Sequence, residues 1–229
     1  MQKIFDDPIL NSITDIKLAP IVQHGNIYEA LMSSIISQQI STAAASSIKK
    51  KFTEYFGNIG HDSNSGTAVV GRYPTIDEVL NIENEKLRTL GLSSQKATYI
   101  KSVAEFFKNL NQETTPSPLR ISGAVSHTAS SPRGALNAVT DEELIKELTK
   151  IKGVGRWTVE MILIFTLGRP DVFAIDDLGL QQSVIKLYKL KKTKTLKKRI
   201  LKISERWSSN RSLASRYLWA WRDSAINKK

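Results

Sequence analysis

A mainly all-α fold is what this 229-residue chain predicts. Three observations predict it. Apolar residues recur at helical spacing through most of the chain. Two capping boxes, Thr75 with Glu78 and Thr140 with Glu143, mark helix starts. Gly57, Gly91 and Gly168 stand where helical patterns stop, the position that favours glycine as a C-cap.

In chain order, residues 28–56 come first, with Leu31, Ile35, Ile36, Ile40, Ala44, Ile48 and Phe52 near helical spacing. The polar run Ser37-Gln38-Gln39 inside this stretch suggests a break between two helices. Residues 60–73 are polar and contain glycine, which reads as a loop or short hairpin. The Thr75 box then opens a helix expected to reach Thr89 and stop at Gly91. Ser93 or Ser94 caps the next helix, which carries Ala97, Ile100, Val103, Ala104 and Phe107 on one face. Residues 111–139 hold several prolines, glycines, serines and threonines; an insert that long is a functional loop, a disordered segment, or one that contains short strands around Leu119 to Val125. The Thr140 box opens a helix to about Lys150. A tight turn, residues 151–155, leads into a helix over 156–167, ended by Gly168 and Pro170. A short extended link follows, and Asp176 is expected to cap a helix through Tyr188. The chain closes with a basic helix near 195–207 and an aromatic one near 211–225.

Thirty-three Lys and Arg against 22 Asp and Glu leave a formal charge of +11, which favours a polyanionic partner. Between Leu178 and Ser204 there are nine basic residues and no acidic one, including Lys189, Lys191, Lys192, Lys194, Lys197, Lys198 and Arg199. For any single lysine a solvated helix surface is the better reading, but the summed asymmetry favours a phosphate-contacting face. No cysteine is present, which excludes disulfides, thiolate-bound zinc, iron–sulfur clusters and thiol nucleophiles. His24, His61 and His127 are isolated and lack ligand spacing. No apolar run approaches the roughly 18–20 residues of a membrane span, and the N-terminus lacks a basic-then-apolar leader pattern, so an intracellular protein is expected.

The most informative stretch is Leu148-Thr-Lys-Ile-Lys-Gly153-Val-Gly155-Arg-Trp157-Thr158. Two glycines two apart, between two helices, make a tight hairpin and let the backbone approach a ligand closely. The amides of Gly153, Gly155 and Thr158 then sit at a helix N-terminus, where the dipole favours an anion such as a DNA phosphate. A plain helical turn that uses glycine for bending accounts for the same residues. Beyond the second helix the chain reads Gly168-Arg-Pro-Asp171-Val-Phe-Ala-Ile-Asp176-Asp177, with Asp177 twenty residues after Trp157.

In this order of motifs the chain resembles the helix–hairpin–helix DNA glycosylase superfamily, closest to the 3-methyladenine DNA glycosylase II family. Ser34-Ile-Ile-Ser-Gln38-Gln39-Ile40-Ser and Arg211-Ser-Leu-Ala-Ser-Arg-Tyr-Leu-Trp219 carry the same resemblance, which spans about residues 25 to 222. The inserts at 60–73 and 111–139 depart from the compact family pattern. The resemblance implies one glycosylase unit of two helical lobes flanking a DNA-binding groove. Residues 30–140 would form a central lobe, and 1–29 with 141–229 a lobe carrying hairpin, catalytic aspartate and C-terminal helices.

It further implies a base-excision-repair hydrolase that flips an alkylated purine out of the duplex and cleaves its N-glycosidic bond. Asp177 is the candidate catalytic residue, because bond cleavage builds positive charge on the sugar that a fixed carboxylate stabilises. Asp176 is left as the helix cap. Gln39, with Ile40 beside it, matches the residue that fills the gap in the duplex, though Ile40 is equally an ordinary core residue. Trp157 and Trp219 match the base pocket, where an aromatic face stacks on a cationic alkylated purine. Two core tryptophans are the bland alternative. Met161 stands where the family has a pocket tyrosine, so base selectivity differs in an unspecified way. Bifunctional members carry a lysine where this chain has Trp157, which implies a monofunctional enzyme leaving an abasic site.

No cofactor is required on this reading. A structural Na+ or K+ at the carbonyls of Thr149, Ile151 and Val154 is implied by resemblance alone. The expected partner is double-stranded DNA with a damaged base, met by a monomer. A glycosylase for hypoxanthine or an oxidised purine, and a non-catalytic damage-binding module, remain as alternatives. A binder of anionic membranes through residues 186–202 explains none of the other motifs.

Overall fold

The computed structural model describes residues 4–21, 26–58, 71–112 and 139–224. Among these residues every regular element is helical and no strand occurs. The segment around Leu119 to Val125, where short strands are one of the readings, lies outside the described residues, as do His24, His61 and His127. No described helix is long and apolar enough to cross a membrane.

The helices are α1 (Pro8–Asn11), α2 (Ile27–Ser37), α3 (Thr42–Asn58), α4 (Ile76–Asn81), α5 (Asn84–Thr89), α6 (Ser94–Gln112), α7 (Asp141–Leu148), α8 (Arg156–Phe165), α9 (Leu178–Leu187), α10 (Leu196–Ser204) and α11 (Arg211–Asp223). A 3-10 turn, Glu205–Trp207, extends α10. The chain divides into two compact units, one of residues 24–159 and one of residues 1–23 with 160–229. The division falls inside α8 and not near residue 140. The hairpin therefore belongs with the central helices and not with the C-terminal ones.

In the central unit, α6 packs against α2, α4 and α5, and α2 against α3. The face of α6 read from sequence is buried, with Ala97, Ile100, Val103 and Ala104 at zero exposure. Tyr28 of α2 meets Phe107 of α6 edge-on at 5.4 Å. Both capping boxes form: Thr75 caps α4 with Glu78, and Thr140 caps α7 with Glu143.

Two breaks interrupt the helices, one where the sequence suggests it and one where it does not. The first separates α2 from α3: Gln38 turns extended with ψ 133° and Gln39 takes a left-handed φ of 55°. A lysine from α6 finishes α2, since Lys96 Nζ donates to Ile36 O at 2.7 Å. The second break splits the helix expected over 75–89, with Ile82 and Glu83 both extended. No glycine or proline marks that break, and Val79 and Leu87 on either side of it are fully buried.

In the other unit, Phe5, Leu10, Ile13, Phe173, Leu180, Val184, Ile200, Trp207, Tyr217 and Leu218 form one hydrophobic cluster. Helix α9 packs on α10 and α11 there. The N-terminal segment joins this unit through Asp7, which is 1% exposed. Asp7 Oδ1 accepts from the amides of Ile9 and Leu10 at 3.0 and 3.2 Å, capping α1. Its Oδ2 accepts from Tyr188 OH at 2.7 Å and Trp207 Nε1 at 3.2 Å. One buried carboxylate thus satisfies donors from three parts of the chain, and an unmet buried donor costs about 1–3 kcal/mol.

Two expectations follow. Asp7→Ala should destabilise the protein by about 3 kcal/mol in urea unfolding, because it strands the Tyr188 and Trp207 donors and uncaps α1, whereas Asp6→Ala, at an exposed position, should be near neutral. The second concerns acid. The Arg72 guanidinium, bonded to Glu78 at 2.7 and 2.5 Å, holds that carboxyl down at about 2, from an ordinary 4.5. A depressed carboxyl stabilises the fold above its unfolded value and loses that contribution as the pH falls. Wild type should exceed Glu78→Gln by about 1 kcal/mol near neutral pH, and thermal melts should show the difference vanish as the pH falls from 4.5 to 2.

Candidate functional site

The hairpin forms where the glycine pair predicts it. Helix α7 ends at Leu148, and Val154 N donates to Ile151 O at 3.0 Å to close the turn. Gly155 O accepts from Val159 N at 3.3 Å, the first hydrogen bond of α8. The first-turn amides of α8, up to that of Thr158, precede it and are the donors that a helix leaves without intrahelical partners.

The two glycines serve different ends. Gly153 has φ +89°, and a Cβ there would collide with the ring of Tyr99 from α6. Its glycine is demanded by the protein itself, for the left-handed turn and for ring contact. Gly155 is not left-handed, and a Cβ added to it would meet open space, with nothing within 4 Å among the described residues. Among the described residues nothing demands glycine at 155, and its Cα faces open space.

Gln38 supplies a contact that the sequence reading assigned to no residue. Its Nε2 donates to Gly153 O at 3.0 Å, tying the end of α2 to the hairpin turn. Beside it, Gln39 is exposed in its left-handed conformation and Ile40 is 37% exposed, so Ile40 is not a core residue. Trp157 is 45% exposed on the first turn of α8, while the Thr158 side chain packs inward at 5%.

Asp177 lies in the second unit. It is itself the N-cap of α9: Oδ1 accepts from Leu180 N at 2.7 Å. The same oxygen accepts from Trp219 Nε1 at 3.0 Å. This corrects the assignment of the cap to Asp176. Asp176 is exposed and pairs instead with Lys197 Nζ at 2.5 Å, because it lies one residue too far from the helix for its carboxylate to meet the amides of the first turn. Gly179 is buried beneath the Arg222 guanidinium, and a Cβ at 179 would clash with it while lying 3.1 Å from Asp177 Oδ1.

The loop leading to Asp177 is fastened to the start of α11. Arg211 donates from Nε and Nη2 to the two oxygens of Asp171, each at 2.8 Å. Ser208 Oγ adds a donor at 2.9 Å, and the Arg211 bonds hold the Asp171 carboxyl below the usual carboxylate range. Ser212 Oγ donates to Arg169 O at 2.6 Å and accepts from Val172 N at 2.9 Å. Arg211, whose part sequence alone did not supply, is therefore the clamp on this loop.

Trp219 also walls a cleft of about 410 Å³ formed by residues 18–21, Phe165, Arg216 and Ala220. The Phe165 and Trp219 rings lie 5.7 Å apart at 32°. Phe165 was not singled out in the sequence, where it reads as one more apolar residue of α8; its 40% exposure is the signal, and only structure reveals it. Met161 does not line the cleft. It is half-buried against the hydrophobic cluster of its unit. The basic residues from 189 to 199 are exposed, apart from half-buried Leu190 and Leu196 between them. Among the described residues no group of three or more His, Asp or Glu comes together that could hold a metal ion.

Known proteins give the family. A DNA-3-methyladenine glycosylase of Schizosaccharomyces pombe is 35% identical over 192 residues, covering 84% of this chain and 71% of that protein. A DNA-3-methyladenine glycosylase of Bacillus subtilis is 31% identical over 194 residues, covering 85% of this chain and 56% of that protein, so the chain spans little more than half of its length. Among solved structures, a Schizosaccharomyces pombe 3-methyladenine DNA glycosylase in complex with abasic DNA superposes with a TM-score of 0.68 at 32% identity, covering 96% of this chain and 94% of that one. The HhH-GPD superfamily of base excision DNA repair proteins matches residues 32–209, and with the glycine hairpin, the capped aspartate and these relatives together, the chain belongs to that superfamily.

Proposed function

We propose that the chain is a monofunctional DNA glycosylase that takes an alkylated purine, of the 3-methyladenine or 7-methylguanine type, out of the duplex and hydrolyses its N-glycosidic bond. The observation that carries this reading is the carboxylate of Asp177, held on Oδ1 by Leu180 N and by the indole of Trp219, whose ring walls an aromatic cleft. The superfamily match and the glycosylase names of the relatives support it.

The chemistry follows from charge. An alkylated purine nucleotide is cationic, so the base departs as a neutral molecule and needs no general acid. As the bond between C1′ and the base nitrogen breaks, positive charge develops on the sugar. The Asp177 carboxylate stabilises that charge and orients the water whose oxygen bonds to C1′. A carboxylate held by two fixed donors reorganises little as the charge appears, which is where such stabilisation comes from. Trp219 and Phe165 offer π-faces to a cationic base, an attraction of about 0.5–2 kcal/mol.

Extrusion of the base costs a few kcal/mol of stacking and pairing. Gln39 and Ile40, exposed on the break between α2 and α3, are the residues proposed to fill the gap left in the duplex. Gly153, Gly155 and Thr158 present backbone amides to a phosphate, and the open space at Gly155 suits close approach. A monovalent cation at the carbonyls of Thr149, Ile151 and Val154 belongs to the same proposal. Thr149 is the C-cap of α7, where the dipole favours a cation, and Ile151 O in the turn beyond it, which accepts from Val154 N, keeps a second lone pair. Trp157 and the basic stretch 189–199 complete the DNA-contacting set, in a protein acting as a monomer where the cell keeps its DNA.

Base release from methylated duplex, followed chromatographically, tests the assignment. Asp177→Asn should lower excision by at least about 100-fold while duplex affinity stays within several-fold; full activity in the variant would sink the role of Asp177. Borohydride should trap no covalent adduct on damaged DNA, since Trp157 cannot form a Schiff base. A trapped species would overturn the monofunctional mechanism.

A further inference from the structure

Helix α2 ends in a way that its own residues do not explain. The last carbonyls of a helix have no intrahelical partner. In α2, Ile35 O accepts from Gln38 N at 3.2 Å, which closes the final turn. Ile36 O is met from another helix, by Lys96 Nζ at 2.7 Å. Lys96 is the third residue of α6, and its own amide is fixed by the Ser93 hydroxyl at 3.3 Å. Its side chain is half-buried, and burial pushes the ammonium below the ordinary lysine value. Among the described residues no carboxylate offsets that penalty; the acceptor the ammonium has is the carbonyl of Ile36. A charge is kept partly out of water to hold one backbone oxygen at a helix C-terminus, where the dipole favours a cation.

The residues beyond that oxygen give the reason. Two residues on, Gln38 Nε2 donates to Gly153 O at 3.0 Å, and Gln39 then takes its left-handed φ of 55°. A side chain other than glycine is unfavourable there and persists only where its surroundings hold it. The bonds at Ile36 O and from Gln38 are those holds, one on each side of Ser37. Both lead back to α6. Lys96 makes the first. Tyr99, one turn on along the same face, packs its ring against Gly153, and its hydroxyl accepts from Gln95 Nε2 at 2.7 Å.

We propose that Lys96 is a positioning residue for base extrusion: by holding the last turn of α2 it fixes the backbone that aims Gln39 into the gap left by the flipped nucleotide. The proposal rests on the reading of Gln39 as the gap-filling residue. Taking a base out of the duplex costs stacking and pairing. A filler that is already ordered offsets more of that cost than one that must be ordered on binding. Lys96 touches no reacting atom, and no bond is made or broken at it. Its effect passes through residues 36 to 39.

The test separates extrusion from chemistry. Single-turnover excision of 7-methylguanine is measured on two duplexes, one with the lesion paired to cytosine and one with it opposite an abasic-site analogue, where pairing is already lost. Lys96→Met keeps the apolar stem and removes the donors. It should lose at least about tenfold on the paired duplex, the scale of one hydrogen bond to a charged group, and lose less on the unpaired one. Both rates come from one preparation, so a lower folded fraction cancels in their ratio. Lys96→Arg, which returns a charged donor, should recover part of the loss. In an Asp177→Asn background, which is expected to bind without excising, 2-aminopurine beside the lesion should brighten on binding, and brighten less at saturating protein once Lys96→Met is added. Gln39→Gly, which suits a left-handed φ and removes only the side chain, should behave as Lys96→Met does. An unchanged rate for Lys96→Met, an equal loss on both duplexes, or a full fluorescence signal overturns the proposal and leaves the role of Gln39 standing. A Gln39→Gly protein that extrudes and excises like wild type fails the gap-filling reading itself, and the proposal with it. A wild type that releases no base from either duplex fails the glycosylase reading.

Discussion

The hydrogen bond from Trp219 Nε1 to Asp177 Oδ1 fixes a carboxylate that a single helix cap would leave free to turn about its Cα–Cβ bond. With Leu180 N bonded to the same oxygen, two donors from two helices define its orientation. The Trp219 donor depends on α11. Its first residue, Arg211, clamps Asp171 in the loop before Asp177, and Trp219, eight residues on, is about 12 Å further along the axis. The helix thus acts as a ruler, holding the loop at one point and the carboxylate at another. Gly179 completes the arrangement, since any side chain there would push against Arg222 and crowd Asp177 Oδ1.

The hairpin obeys a different constraint. Its turn is made rigid from within the protein, by Tyr99 against Gly153 and by Gln38 on the Gly153 carbonyl. Rigidity at 153 leaves Gly155 free of internal demands. A backbone that is both immobile and uncovered is what phosphate recognition by amides requires, because the donors need no ordering on binding. The left-handed turn at Gln39 belongs to the same device, since the residue before it anchors the hairpin while the residue itself is exposed.

The N-terminal segment is more than a leader to α2. Asp7 binds it to Tyr188 and Trp207, some 180 and 200 residues away in the chain. Residues 18–21 of the same segment form one wall of the cleft beside Trp219, and Arg216 holds that wall by the Ala19 carbonyl. Superfamily membership explains the hairpin and the aspartate.

Helical spacing, capping boxes and glycine stops were enough to place α6, α7 and α8, because each is decided by residues a few positions apart. The order Gln38-Gln39, Gly153-Gly155, Asp177, Trp219 was likewise readable as a superfamily pattern. Other features escaped for one reason: their partners are remote in sequence. Asp176 and Asp177 are both good capping residues, and only the approach of Trp219 and Leu180 shows which one turns inward. The break at Ile82 carries no local signal. Gln38 reads as a polar interruption until Gly153, 115 residues later, comes to meet it. Arg216 and Phe165 are an ordinary charge and an ordinary apolar residue until the chain folds a cleft between them. The sequence by itself determined the helical class, the positive charge and the chemical groups available. Tertiary structure alone decided which of those groups face one another, because hydrogen bonds and ring contacts act over a few ångströms of space and not over positions in a chain.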